Sequence, residues 1–221
     1  MHHRALVIAL CCWTALAFAY DSTSSRATDL SGTWKLNATA SDDPQRMLDE
    51  RLQKEREQRA RWRRHEDSMR PREAPPSLES SQEQPAPRRR PWQQRRYDNL
   101  RKMLAISDTL TISQAGTSVE IVSALDARRV EAGSRTQVSM PEGELADSRV
   151  GWDGEWFVIE RIARKGPRVV EKYRVLKKTG QLEYRMAWSG DTELAGMKVT
   201  RFFERLTAAS ATPDPAVVPA R

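Results

Sequence analysis

The sequence predicts a mainly β fold: an antiparallel up-and-down barrel of eight to ten short strands, with a charged helical and disordered insertion. Three observations support it. Residues 30–39 read as a first strand, residues 107–206 alternate between apolar and polar positions with frequent turns, and residues 40–106 between them have no β pattern. Consecutive short strands joined by tight turns favour a meander that closes into a barrel. An open sandwich is the alternative that periodicity leaves open.

Period-two alternation is clearest in the second half of the chain. Thr109–Ile112 alternates, and Asp153-Gly154 between two apolar runs indicates a hairpin. Gln181–Trp188 directs four large side chains to one face, Leu182, Tyr184, Met186 and Trp188. The segment therefore predicts a strand with one buried face.

The insertion begins with a helix-start signal. Asp43 is suited to the N-cap and Pro44 to the first helical position, and Gln45–Met69 contains no Gly or Pro. Pro71–Pro91 is rich in Pro, Ser and Glu, which predicts an extended linker. Trp92–Ile106 reads as a second helix, which we expect to lie on the barrel across one mouth.

The insertion also carries the positive charge of the chain. Residues 44–104 hold 17 Arg and Lys against 10 Asp and Glu, and 15 of these cations are Arg. Arg favours bidentate contacts to phosphate or carboxylate. We expect the first helix to be stabilised by pairs such as Glu55–Arg59 and Glu57–Arg61. A solvated helix with no partner is the alternative.

The first nineteen residues have the pattern of a secretory signal. A polar start of His2, His3 and Arg4 precedes an apolar run, and Ala17-Phe18-Ala19 supplies a small-x-small cleavage site. The apolar run is too short to span a membrane. We expect an exported protein, periplasmic or secreted, cleaved near Ala19 and without a transmembrane span in its mature chain. A flexible leader over 20–29 and a disordered tail over 207–221 complete the predicted organisation.

The residue inventory disfavours catalysis. Both cysteines, Cys11 and Cys12, lie in the signal, and His65 is the one histidine after it. Thiolate nucleophiles and His or Cys clusters for zinc are therefore excluded from the mature chain. Carboxylate pairs remain, Asp153 with Glu155 and Glu142 with Glu144, and both lie in predicted turns. We expect no enzymatic activity, no cofactor and no metal, and a hydrolase or isomerase that uses carboxylates alone is the alternative.

Seven residues near the second helix form a candidate site for anions or partners: Arg88, Arg89, Arg90, Trp92, Arg95, Arg96 and Tyr97. For an exported chain the expected partner is an anionic envelope surface or an acidic protein, and nucleic acid is disfavoured. A solvated linker whose arginines have no partner is the alternative.

Five residues are candidates for contact with a small apolar ligand, provided that the barrel is hollow: Trp156, Tyr173, Tyr184, Met186 and Trp188. Aromatic and thioether side chains suit such a ligand. They would equally well fill a small barrel with no cavity. Glu171, near Tyr173, is expected either to face solvent or to orient a ligand head group.

Three stretches resemble small exported bacterial lipocalin-like (calycin-like) β-barrel domains. They are DLSGTWKLN from Asp29, VGWDGEWFVIE from Val150 and VTRFFER from Val199. The resemblance covers 29–39 and 107–206 and implies a structural role for Gly32, Trp34, Arg201 and Arg205. In that family the tryptophan packs at the closed end of the barrel against a late arginine, which implies a cation–π contact of Trp34 with Arg201 or Arg205. The long insertion departs from the pattern.

Together these observations predict a non-enzymatic exported binding or scaffold protein of the cell envelope, whose arginine-rich insertion contacts anionic surfaces or partners. The alternative is a carrier that holds a small apolar ligand inside the barrel, with Trp92–Ile106 as a lid.

Overall fold

The computed structural model describes residues 20–24, 29–69, 91–139, 145–164 and 166–206, without the side chains of 67 and 91–93. The predicted signal segment, most of the Pro-rich linker and the predicted C-terminal tail lie outside these residues. Within them the chain forms two helices, α1 (Pro44–Met69) and α2 (Pro91–Met103). Neither of these helices is long and apolar enough to cross a bilayer.

The described residues contain ten strands. They are β1 (Gly32–Leu36), β2 (Thr109–Ala115), β3 (Ser118–Ser123), β4 (Ala127–Glu131), β5 (Arg135–Ser139), β6 (Leu145–Asp153), β7 (Trp156–Ala163), β8 (Pro167–Val175), β9 (Leu182–Gly190) and β10 (Lys198–Arg205).

All ten strands form one antiparallel sheet in the order β4-β3-β2-β1-β10-β9-β8-β7-β6-β5. Every strand pairs with its neighbour in sequence except across β4 and β5, and β1 pairs with β10. This confirms the predicted up-and-down antiparallel arrangement, in a single curled sheet rather than a sandwich. The sheet is not closed by a ladder, because β4 and β5 are its two edges. The turn between β4 and β5 is instead bonded to β6: Gly133 N donates to Val150 O and Val150 N donates to Ser134 O, at 2.8 and 3.1 Å.

The inner face of the sheet holds the core. Residues opposite each other in the ladder share a face, so Phe157, Tyr173 and Tyr184 point inward together. Phe157 is completely buried and meets Trp152 edge-on, with ring centroids 5.1 Å apart. Burying such aromatic side chains stabilises the fold through the removal of apolar area from water, at about 25 cal/mol per Å².

The two helices pack against one end of the barrel and against each other. Asp43 caps α1, because its Oδ1 accepts hydrogen bonds from the backbone N–H groups of the second and third helical residues. Leu48 of α1 and Leu104 just after α2 are completely buried. Tyr97 donates its hydroxyl proton to Asp49, which joins α2 to α1. The helix start therefore lies at the predicted Pro44.

Residues 20–24 lie against the sheet instead of forming a free leader, through contacts of Tyr20, Asp21 and Ser24. Asp21 exchanges both backbone hydrogen bonds with Trp152, at 3.0 and 2.8 Å. Gly151 makes the approach possible, because a Cβ there would lie 2.6 Å from the Asp21 carbonyl oxygen. The leader predicted over 20–29 is thus wrong for its first five residues, which we call the N-terminal strap. Residues 25–28 lie outside the described part of the chain.

Candidate functional site

A cavity of about 430 Å³ lies between the inner face of the sheet and the end of α2. Its apolar wall comes from several strands, through Leu110, Ile121, Val169, Met186 and Trp188. Lys102, Met103 and Ile106 line it from the helical side. The polar part of its lining consists of Lys102, Ser107, Ser123, Asp126 and one cluster of five side chains.

That cluster is centred on Glu171 of β8, which is buried. Arg128 of β4 binds it with both terminal nitrogens, at 3.1 and 2.5 Å, and Arg161 of β7 makes a second ion pair. Tyr173 donates to the same carboxylate at 2.8 Å and Tyr184 at 3.3 Å. Five side chains from β4, β7, β8 and β9 thus form one hydrogen-bonded network, the interior cluster.

Electrostatics keeps Glu171 ionised despite its burial. Burial alone would raise its pKa, but the guanidinium groups of Arg128 and Arg161 outweigh that effect and lower the pKa to about 2. Burial and the neighbouring carboxylate raise the pKa of Tyr173 and of Tyr184. The two phenols therefore remain protonated and act as hydrogen-bond donors.

The interior cluster carries an excess positive charge. Two guanidinium groups face one carboxylate, and the buried Nε of Arg161 has no partner among the described residues. Arg201 lies on the same inner face, opposite Tyr184, and its Nη1 donates to the Ile106 carbonyl at 3.1 Å. Its Nε also has no partner in the described part of the chain. Unused donors of this kind can receive an anion at little further cost in desolvation.

Four of the five predicted ligand contacts line the cavity: Tyr173, Tyr184, Met186 and Trp188. Trp156 does not, and its prediction is wrong. Asp153 pairs with Trp156 across a two-residue turn, so the next residue, Phe157, points inward and Trp156 points outward. There its ring stacks with Arg174 and Arg185, whose guanidinium carbons lie 4.2 and 4.9 Å from the ring centroid.

Sequence reasoning missed Arg128 and Arg161 and left the orientation of Glu171 open. Glu171 and Tyr173 are two residues apart in one strand, which places them on one face. That spacing was a usable signal for Glu171. Arg128 gave none, because it reaches a partner 43 positions away in sequence.

The candidate anion site on the second helix is only partly within the described residues. Arg88, Arg89 and Arg90 lie outside them, and the side chain of Trp92 is not described. Arg95 is exposed, whereas Arg96 forms an ion pair with Glu193. Tyr97 is engaged with Asp49, and the Arg101 guanidinium lies 4.8 Å from its ring centroid. Within α2, these contacts connect the helix to the barrel and to α1.

At the opposite end of the barrel, Arg205 is the arginine that the structure places over Trp34, 4.3 Å from the ring centroid. The indole Nε1 donates to Leu30 O at 3.0 Å, and Arg205 donates to Ser31 O at 2.5 Å. Gly32 provides the space, since a Cβ there would lie 2.6 Å from an Arg205 nitrogen. Arg201 lies on the inner face near Ile106 instead.

The carboxylates considered for catalysis are engaged in ion pairs or lie outside the described residues. Asp153 pairs with Lys172 at 3.1 Å, and Glu155 pairs with Lys177 at 2.9 Å. Glu142 and Glu144 lie in the gap 140–144. Across the described ranges, no group of three His, Cys, Asp or Glu is placed to hold a metal.

No family model matches this sequence, and no curated protein matches it. Solved structures similar to it include the REP1-NXSQ fatty acid transporter, at 16% identity and a TM-score of 0.34, over 45% of this chain and 70% of that one. Apo lipid binding protein 8 of Caenorhabditis elegans is 13% identical with a TM-score of 0.35, and the match covers 44% of this chain and 70% of that one. A fatty acid-binding protein from brain tissue of Drosophila melanogaster is 14% identical with a TM-score of 0.34, and the match covers 43% of this chain and 70% of that one. These values are too low to transfer a function to this chain.

Proposed function

We propose that this protein binds one small amphipathic molecule, with an apolar body and a single acidic group, in the cavity of its barrel, and performs no chemistry on it. The observation that carries the proposal is a cavity with an apolar wall and a cluster of net positive charge around the buried Glu171. A volume of about 430 Å³ falls in the range of small-molecule sites.

The two ends of the ligand have different environments in the cavity. The apolar body would contact Met186, Trp188 and Leu110, which offer thioether, aromatic and aliphatic surface. The acidic group would lie near Arg161, whose buried Nε is an unused donor. Glu171 neutralises only one of the two guanidinium groups in the cluster, so one monoanion balances the charge.

Access is on the side where α2 ends. Lys102, Met103 and Ile106 line the cavity there, and the helix is held by the buried Leu100 as well as by polar contacts such as Arg96–Glu193. Separation of α2 from the sheet would open the cavity without disturbing any strand pairing. This supports a lid role for the second helix.

The test is calorimetric titration of the purified chain with dodecanoate and with dodecanol, which share an alkyl body and differ in charge. We expect dodecanoate to bind at least tenfold more tightly, because a charged hydrogen bond contributes about 1.5–3 kcal/mol. Met186→Trp, which fills the cavity, should abolish binding of both. Trp156→Phe on the outer face is the matched control and should leave both affinities unchanged.

Two results would contradict the proposal. Equal affinities for dodecanoate and dodecanol would mean that the interior cluster does not bind the acidic group. Absence of binding by both probes, together with a bare mass in native mass spectrometry of protein purified from its own host, would mean that the cavity has no cargo.

We further propose that the chain is exported. The support is the polar start, the apolar run and the small-x-small site of residues 1–19. The test is cell fractionation followed by intact-mass measurement of the recovered protein. Cleavage near Ala19 in the exported fraction is the expected result, and a cytosolic protein that retains residues 1–19 would overturn it.

A further inference from the structure

The distal half of α1 extends beyond the barrel. The helix has 26 residues and is therefore about 39 Å long. Its core contacts, Met47, Leu48 and Leu52, all lie within the first nine residues. The remaining residues, 53–69, are almost all exposed. This stretch, which we call the distal α1 segment, gains little stability from packing on the barrel.

The charges of the distal α1 segment are arranged differently from the prediction. Two ion pairs join residues of the first half of α1, Arg46–Glu50 and Arg51–Glu55. Glu55 pairs with Arg51 and Glu57 accepts a hydrogen bond from Gln53, and neither of the predicted pairs, Glu55–Arg59 and Glu57–Arg61, is among the contacts of these described residues. Residues 58–65 contain four arginines and no carboxylate. These arginines, at 59, 61, 63 and 64, are exposed.

Two exposed apolar side chains accompany these cations. Trp62 is 75% exposed and Met69 is 70% exposed. The two are seven residues apart, which places them on the same side of the helix. Arg61 and Arg63 lie about 100° to either side of Trp62 around the helix axis. The same side of the helix also carries two carboxylates, Glu55, which pairs with Arg51, and Glu66.

We propose that the distal α1 segment docks on an anionic phospholipid surface, with Trp62 at the level of the head groups and the flanking arginines on lipid phosphates. Tryptophan is suited to the interface between lipid and water, and long arginine side chains can reach phosphate from a helix lying in that plane. Single-stranded nucleic acid would also satisfy the arginines and could stack a base on Trp62, but it offers no apolar partner for Met69, and RNA binding is therefore one outcome that the experiment distinguishes. The inference is independent of the cavity.

The experiment is co-sedimentation of the full chain with vesicles of 30% phosphatidylglycerol in phosphatidylcholine, compared with pure phosphatidylcholine vesicles. We expect binding to the anionic vesicles only, and its loss in 0.5 M NaCl because screening weakens such contacts. Arg61→Glu with Arg63→Glu should weaken it at least tenfold. Arg129→Glu with Arg135→Glu, two exposed barrel arginines with the same change in net charge, is the matched control and should retain it.

Trp62→Ala separates docking from simple charge attraction. We expect at least a threefold loss of binding and a smaller blue shift of tryptophan emission on mixing with anionic vesicles. Equal losses in the two double variants would assign binding to overall charge and overturn the proposal. Absence of binding to anionic vesicles would also overturn it. The same holds if the Arg61/Arg63 variant loses binding to single-stranded RNA while its vesicle binding is unchanged. Circular dichroism establishes that each variant is folded.

Discussion

Glu171 is fully buried, and the two arginines that bind it come from β4 and β7, on different parts of the curled sheet. The energetics of such a carboxylate depend on whether its partners remain. An intact buried ion pair contributes little net stability, because desolvation offsets attraction, but loss of one partner leaves an uncompensated buried charge. A loss of stability is therefore expected only when a member of the cluster is substituted.

Glu171→Gln should lower the free energy of unfolding by about 3 kcal/mol. This is the lower end of the range for broken buried ion pairs, and we expect it because Arg128 and Arg161 are both partly exposed. The measurement is urea denaturation at pH 7. Glu120→Gln, which removes the exposed partner of Arg129, is the matched control and should cost at most about 1 kcal/mol. Equal effects of the two variants would contradict the role assigned to the interior cluster.

At the scale of elements, helix starts and strand faces could be predicted where the cause is local. Asp43-Pro44 determines the start of α1, and strict alternation places Tyr184, Met186 and Trp188 on the inner face. Trp156 was assigned to the wrong face because its orientation depends on the length of the preceding turn, and a shift of one residue inverts every side chain.

The remaining features could not be predicted because their cause is not local. The pairing of Arg128 with Glu171 joins β4 to β8 across the interior, and only the curvature of the whole sheet brings them together. The N-terminal strap likewise pairs with a strand more than a hundred residues away. The sequence of the strap is polar and has no strand pattern. The residue that lets the strap approach the sheet is Gly151, which lies in β6 and far from the strap in sequence.

Gly151→Ala should displace the N-terminal strap from β6. The backbone φ of Gly151 is +155°, and a Cβ would lie 2.8 Å from the Tyr20 Cβ as well as near the Asp21 carbonyl. We expect a loss of about 1–3 kcal/mol, typical of overpacking, and faster hydrogen exchange at the Trp152 amide, which the strap protects.

Gly116→Ala is the control for Gly151→Ala. Its φ is +61° and nothing lies within 4 Å of the added Cβ. It should therefore cost about 1–2 kcal/mol through backbone strain alone and leave exchange at Trp152 unchanged. Unchanged exchange in the Gly151 variant would show that the strap does not depend on this glycine.

At the scale of the whole molecule, the interior cluster compensates for the missing ladder between β4 and β5. Arg128 bonds the edge strand β4 to β8 on the opposite wall, in addition to the backbone hydrogen bonds between the β4–β5 turn and Val150 of β6. The same bonds form the polar end of the cavity, so the stability of the barrel and its capacity for an acidic ligand depend on one set of charges. The protonation of Glu171 should therefore be visible in global unfolding.

The pKa of Glu171 is lowered to about 2 in the folded protein, from an ordinary value of 4.5. A lowered folded-state pKa gives stability that is fully present above the unfolded value and is lost as the pH falls through the folded value. We expect a loss on the order of 3 kcal/mol between about pH 5 and pH 2, with Asp29 acting in the same direction through its lowered pKa.

Urea denaturation of the wild type and of Glu171→Gln at pH 7, 4 and 3 separates the contribution of Glu171 to acid sensitivity from that of other carboxylates. The glutamine variant lacks the titrating group, so its stability should fall less steeply, and the difference between the two proteins should narrow as the pH decreases. A difference that stays constant down to pH 3 would mean that Glu171 is not held ionised by Arg128 and Arg161. The acid sensitivity would then belong to other carboxylates.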